Sequence, residues 1–112
     1  MTPTILEQQK EDSMEFLVEF EFEVPAGTPD AEVARRQRAE SAAAAKLAED
    51  GHLVRLWRRP LLGDGTTAIG QYRADSQAEL DDLLAVLPLA DWLRITVMPL
   101  GAHPNDPATG SR

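Results

Sequence analysis

Met14–Pro25, MEFLVEFEFEVP, reads as a β-strand over almost its whole length. Phe16, Val18, Phe20, Phe22 and Val24 alternate with Glu15, Leu17, Glu19, Glu21 and Glu23. A period of two sends the first set to one face of a pleated sheet and the second to the other. One face is oily and the other mostly acidic, so a covering layer is expected on the first alone. Pro25, Ala26 and Gly27 end the strand. Thr28, Asp30 and Glu32 then mark a helix start, with Pro29 in its first turn.

Working outward, residues Met1 to Ser13 are polar and without a useful period, and read as a disordered lead-in. The helix after the strand runs from about Pro29 to Asp50 and stops at Gly51. A second strand is expected over His52–Arg59. Pro60–Thr67 contains Gly63-Asp64-Gly65, a hairpin-type connection to a third strand at Ala68–Ala74. Ser76, with Glu79 three residues on, is a capping box for a second helix. Leu80, Leu83, Leu84 and Leu87 give that helix an apolar face, and Pro88 ends it. The fourth strand is expected from about Trp92 to Leu100, with Leu93, Ile95 and Val97 on one side. Gly101–Arg112 reads as an extended Pro/Gly/Asn tail.

The order β-α-β-β-α-β is the split pattern of an α+β, ferredoxin-like sandwich, a four-stranded antiparallel sheet with two helices on one face. The domain spans 14–101, between a 1–13 extension and a 102–112 tail. The opposite sheet face then stays open. Its glutamates have Arg73, Arg94 and the Arg55/Arg59 alternation as cross-strand partners. Leu17 and Trp57 are apolar residues that a suitable register places on the same face, and such a small domain commonly completes its core by self-association. A homo-oligomer is expected.

Bulk composition narrows the function. With 112 residues and a net charge of −8, the chain is one domain without the basic surface that nucleic-acid binding requires. No stretch is long and apolar enough for a membrane span, and the N-terminus lacks the order of a signal peptide, so a cytoplasmic location is expected. Cysteine is absent, which removes disulfides, thiolate nucleophiles and thiolate metal sites. His52 and His103 lie far apart with no local ligand spacing, and nothing calls for a metal or another cofactor.

The first helix carries the chemistry. Its only large apolar residues are Val33 and Leu47, and seven residues separate each from Glu40. At roughly 100° per residue, with Val33 at zero, Leu47 points near 320° and Glu40 near 340°, between them. A carboxylate aimed at a core is a salt-bridge partner, a buried liability or a tuned acid/base. Burial without a cation raises its pKa toward neutrality, which suits proton transfer. Ala42–Ala45 give no sharp bulky face, so a rotated helix with Glu40 at the solvent edge satisfies the periodicity equally.

Several pieces together resemble muconolactone Δ-isomerase. They are Met14–Pro25, then Ala39-Glu40-Ser41 leading to Leu47, Glu49, Asp50 and Gly51, then Leu56-Trp57-Arg58. Leu87-Pro88-Leu89, Ile95-Thr96-Val97 and Leu100-Gly101-Ala102-His103-Pro104 follow at matching intervals. The resemblance implies a ferredoxin-like subunit of a large cofactor-free oligomer, a decamer in the family, with pockets at subunit contacts. It implies a small-molecule lactone substrate and a place in aromatic catabolism by the β-ketoadipate route. It also places the family's helix glutamate on Glu40. Muconolactone isomerisation moves a proton from C4 to C2, which a single base can perform. For the substrate carboxylate, Arg58 ranks first, then His103, then His52 and Arg55, while Trp57 is a candidate pocket wall. Tyr72 reads as packing. The family's Asn- and Tyr-containing third strand is replaced here by Thr67, Ala68 and Ile69. The aromatic pair after Leu-Pro-Leu becomes Ala90 and Asp91, which leaves open a related lactone, chlorinated or alkylated, and also loss of catalysis. The alternative is a non-catalytic module that binds a small acid or simply assembles, which a pocket lacking any cation near Glu40 would favour. A weaker analogy is a small oxygenase of the dimeric α+β-barrel kind.

Overall fold

The structure, a computed structural model, describes residues 13–59 and 67–110. The expected lead-in before Ser13 and the Gly63-Asp64-Gly65 connection lie outside those residues. The elements are β1 (Met14–Phe22), α1 (Asp30–Glu49), β2 (Leu53–Arg58), β3 (Thr67–Ala74), α2 (Gln77–Ala85), a 3-10 turn (Ala90–Trp92), β4 (Leu93–Leu100) and α3 (Pro107–Gly110). Sheet order is β2-β3-β1-β4, with every neighbouring pair antiparallel. This is the ferredoxin-like sandwich that the sequence pattern predicts.

Register places Phe16, Val18 and Phe20 of β1 in line with Tyr72, Gly70 and Ala68 of β3. On the other side of β1 they meet Pro99, Val97 and Ile95. These residues form the covered face. Leu47 of α1 and Leu80 and Leu84 of α2 close over it, and Phe16, Val18 and Leu80 are the most deeply buried. Burying apolar area of this kind is the main stabilising term in so small a domain.

Local chemistry sets the element ends. Ser76 Oγ accepts from Glu79 N–H at 3.1 Å, and Glu79 Oε1 reaches back to the Asp75 N–H at 2.6 Å. The capping box therefore closes one residue earlier than its usual form. At the end of α1, Gly51 takes φ +86°, Gly51 N–H bonds Ala48 O at 3.1 Å and His52 N–H bonds Leu47 O at 2.8 Å. That pair of bonds is a Schellman motif, and glycine supplies the left-handed residue it needs. It turns the chain directly into β2.

β2 and β3 shift by a single residue at their ends from expectation, and three other boundaries differ for reasons visible in the structure. The first strand ends at Phe22 rather than Val24, where Glu23 N–H bonds Trp92 O at 2.9 Å. Trp92 belongs to the 3-10 turn, closed by its own N–H to Leu89 O at 2.8 Å. The tail is not wholly extended: Asp106 Oδ1 accepts from Ala108 N–H at 3.0 Å as Pro107–Gly110 coils into α3.

On the open face the acidic ladder has partners. Arg73 Nε lies 2.6 Å from Glu15, Arg59 Nη1 2.5 Å from Glu19 and Arg94 Nη1 3.6 Å from Glu21. These pairs are partly solvated and individually worth little. Leu17 lies between Gln71 and Met98, and Trp57 is one strand beyond Ile69 and Glu19 on the same face. Trp57, Met98 and Leu100 are all exposed in the single chain. No helix among the described residues is long and apolar enough to cross a membrane.

Gly70, on the covered face, has no room for a side chain. An added Cβ would stand 2.5 Å from Tyr72 Cε1 and 3.2 Å from Leu56 Cδ1. The Gly70→Ala variant is therefore expected to lose about 1–3 kcal/mol of stability through overpacking, measurable as a lower midpoint in chemical denaturation.

Candidate active site

A helix built from alanines cannot fill the space over the β2 side of the sheet. Between α1 and that side lies a cavity of about 420 Å³, within the range of small-molecule sites. Glu40, Ser41 and Ala44 face it from α1, while Phe20 and Phe22 line it from β1. Ala68 and Tyr72 contribute from β3, and Leu89 and Leu93 close it from the far side. The edge strand β2 contributes Leu56, Trp57 and Arg58. Most of this lining is apolar, so the few polar groups act in a partly dry space.

Glu40 is half-buried, in line with the angular position read from the sequence, with Leu47 buried and Val33 partly buried on the same stripe. Glu40 Oε1 accepts a hydrogen bond from the Leu89 N–H at 3.0 Å. Burial pushes its carboxyl above the ordinary carboxylate value, and the Leu89 bond pulls it partly back. Desolvation disfavours the charged form, and one donor only partly replaces the lost water. The second carboxylate oxygen has no partner among the described residues.

The segment that supplies the Leu89 N–H is clipped to α1 by Arg36. Its Nη1 lies 2.7 Å from Asp91 Oδ1 and 3.4 Å from Pro88 O, and its guanidinium sits 4.3 Å from the centre of the Trp92 ring. Arg36 Nε also contacts Glu32 at 3.2 Å. Together with Arg35, it holds the Glu32 carboxyl below the usual range. Asp91 thus serves as one anchor of this clip.

Arg58 shares the cavity with Glu40. Among the described residues it makes no ion pair or hydrogen bond, whereas Arg59, Arg73 and Arg94 are spent on the acidic ladder. Trp57 borders the same cavity at the sheet edge, although its register turns it toward the open face.

The other candidates lie elsewhere in the chain. Arg55 stacks its guanidinium 5.1 Å from the Trp57 ring centre and does not line the cavity. His52 sits at the opposite end of β2, roughly 20 Å along the strand from Arg58. Its Nδ1 is 2.8 Å from Arg73 O. A carbonyl can only accept, so Nδ1 carries the proton and the ring fastens the strand end. His103 is exposed; its Nδ1 accepts from Asn105 N–H at 2.9 Å in a local turn. Residue type favoured both histidines, but position within this chain does not. Sequence reasoning gave Tyr72 only a packing role and passed over the Leu89 N–H. Tyr72 is buried at 4% exposure, and burial together with the Glu40 charge pushes its phenol up to about 12. A backbone N–H leaves no mark in a sequence at all.

Comparisons with known proteins bear on family and fold. The family model described as muconolactone delta-isomerase matches residues 14–106. The crystal structure of a muconolactone isomerase superposes with a TM-score of 0.74 at 26% identity, covering 83% of this chain and 94% of that one. A NIPSNAP-like domain protein from Burkholderia xenovorans gives a TM-score of 0.45 at 16% identity, covering 84% of this chain and 89% of its own. None of the curated proteins compared matches the sequence. With the family model matched over residues 14–106 and the fold shared, the chain belongs to the muconolactone delta-isomerase family.

Proposed function

We propose that this protein is a cofactor-free isomerase acting on muconolactone or a close relative, with Glu40 as the base that carries a proton from C4 to C2. The observation that carries this reading is a half-buried carboxylate of raised pKa sharing one apolar cavity with an uncommitted arginine. Conjugation with the lactone carbonyl makes the C4 proton weakly acidic. Glu40 removes it, the C4–H electron pair becomes the C3=C4 double bond, and charge passes through C2 to the carbonyl oxygen. Protonated Glu40 then returns the proton to C2, leaving the double bond at C3=C4. A raised pKa makes the carboxylate a stronger proton acceptor, while its acid form can still give the proton back to the dienolate. The Leu89 N–H fixes one oxygen of the carboxylate, leaving the other for the carbon acid. Arg58 grips the carboxymethyl arm, for which a planar guanidinium is suited.

The reading extends to aromatic catabolism by the β-ketoadipate route, in the cytoplasm, and to a homo-oligomer, a decamer by analogy with the family. Exposed Trp57, Leu56, Met98 and Leu100 at the sheet edge and on the open face support assembly. Any part that His103 plays in a pocket belongs to such an assembly, because within its own chain it lies away from the cavity.

Incubating the purified protein with muconolactone should yield the enol-lactone, and Glu40→Gln should lower kcat by about 10²-fold or more; activity within a few-fold of wild type removes Glu40 from the mechanism. Replacing Arg58 with Ala should raise KM by about tenfold or more with a smaller change in kcat, the split expected for a binding cation.

Two pH effects of opposite sign follow from the raised Glu40 carboxyl. The base works ionised, so kcat/KM should rise with pH on a limb centred above the ordinary carboxylate value of 4.5. Stability runs the other way. Between the unfolded and folded pKa values the native state binds more protons, so ionising Glu40 lowers stability as pH rises through that window. Denaturation series should show wild type losing stability relative to Glu40→Gln over the same interval.

A further inference from the structure

Tyr72 is a polar residue of the cavity to which the reaction above gives no task. Its ring is fixed by its surroundings. It meets Phe20 edge-on with centroids 6.0 Å apart, and it occupies space that exists only because Gly70 has no side chain. The hydroxyl is not fixed in the same way. Among the described residues it has no hydrogen-bond partner, and it is not one of the sealed, unsatisfied polar atoms either, since there are none. With the residue only 4% exposed and lining the cavity, the space onto which the hydroxyl opens is the cavity itself.

A buried tyrosine ordinarily engages its hydroxyl with a protein partner. One that keeps its donor free at the wall of a binding cavity has it available for a ligand. We propose that the Tyr72 hydroxyl donates a hydrogen bond to the lactone carbonyl oxygen and stabilises the negative charge which that oxygen acquires in the dienolate.

The assignment deepens the lactone-isomerase reading and rests on it. When Glu40 takes the C4 proton, its own charge is neutralised and an equal charge appears on the carbonyl oxygen. The site therefore needs a donor at the second position as well as a base at the first. Tyr72 keeps its proton throughout: burial and the adjacent carboxylate hold the phenol near 12, so it serves as a hydrogen-bond donor. The other hydroxyls of the lining are less suited. Ser41 is exposed and Thr67 partly exposed, so water competes at both, whereas a donor in a dry wall acts with little screening. Ala68 and Ile69, standing where the family has polar and aromatic groups, leave Tyr72 as the buried donor of this strand.

The test is Tyr72→Phe, which removes one oxygen and leaves the ring that fills the space beside Phe20. We expect kcat to fall by about 10²-fold or more, the scale for losing one such donor, with KM changed only a few-fold and the thermal midpoint close to wild type. Turnover within about threefold of wild type overturns the assignment. A binding arm separates this outcome from failure of the isomerase reading. The probe is 5-hydroxy-2-nitrophenylacetate, whose phenolate oxygen stands in a 1,3 relation to its acetate arm, as the lactone carbonyl does to the carboxymethyl arm. It is titrated in a Glu40→Gln background, where the neutral amide stands for the protonated base. Absorbance should show the phenolate binding at least about tenfold more weakly once Tyr72→Phe is added, the size of a hydrogen bond to a charged group. Tyr72-dependent probe binding without turnover of any lactone by wild type would leave the anion-holding role standing and remove the isomerase. Probe binding indifferent to Tyr72, or no probe binding in either background, overturns the role itself.

Discussion

A carboxylate on the core-facing stripe of a helix must be given a partner and some room, and the bond from the Leu89 N–H to Glu40 Oε1 is where this fold meets that demand. The bond joins the middle of α1 to the segment between α2 and β4, between two residues that line the cavity. It is neutral on the donor side, so it holds the carboxylate in place without cancelling its charge. A cation at the same distance would have depressed the pKa and made a stable but inert ion pair. A single backbone donor offsets only part of the desolvation, so the Glu40 carboxyl stays above its ordinary value.

The room comes from what the sequence omits. Ala44 on α1, Ala68 on β3 and the edge position of β2 together leave the cavity unfilled on one side of the core. Opposite, Phe16, Val18, Leu80 and Leu84 pack tightly and carry the stability. The domain is thus divided into a filled half under α2 and an open half under α1, with Phe20 and Tyr72 at the boundary. The Arg36 clip keeps the Pro88–Trp92 segment from drifting away from α1 and so preserves the donor to Glu40.

Much of this was legible in the chain. The two-residue period of Met14–Phe22, the Ser76/Glu79 cap and the Gly51 stop are local signals, and each survives in the folded structure. The spacing of Glu40 to Val33 and Leu47 put the three on one stripe, because helix geometry is rigid over two turns, but the alanines left the rotation of that stripe open and only packing turns it inward. The rest depends on tertiary placement. A period of two assigns Tyr72 to the covered face but cannot say whether its hydroxyl meets a partner there. Arg58 and Arg55 differ by three positions on one strand, and only the register and its irregularity between Leu53 and Arg55 decide which of them enters the cavity. His52 attracted attention by its chemistry, yet a single bond to Arg73 O accounts for it.

The central claim is that Glu40 is shielded enough to exchange a proton with carbon. A ¹³C NMR titration of the protein labelled at its glutamate carboxyls reads this directly, with the Glu40 signal identified by its loss in Glu40→Gln. A midpoint displaced above 4.5, the ordinary glutamate value, is the predicted result. A midpoint at or below that value would mean an open or ion-paired carboxylate, and the account of the site would not stand.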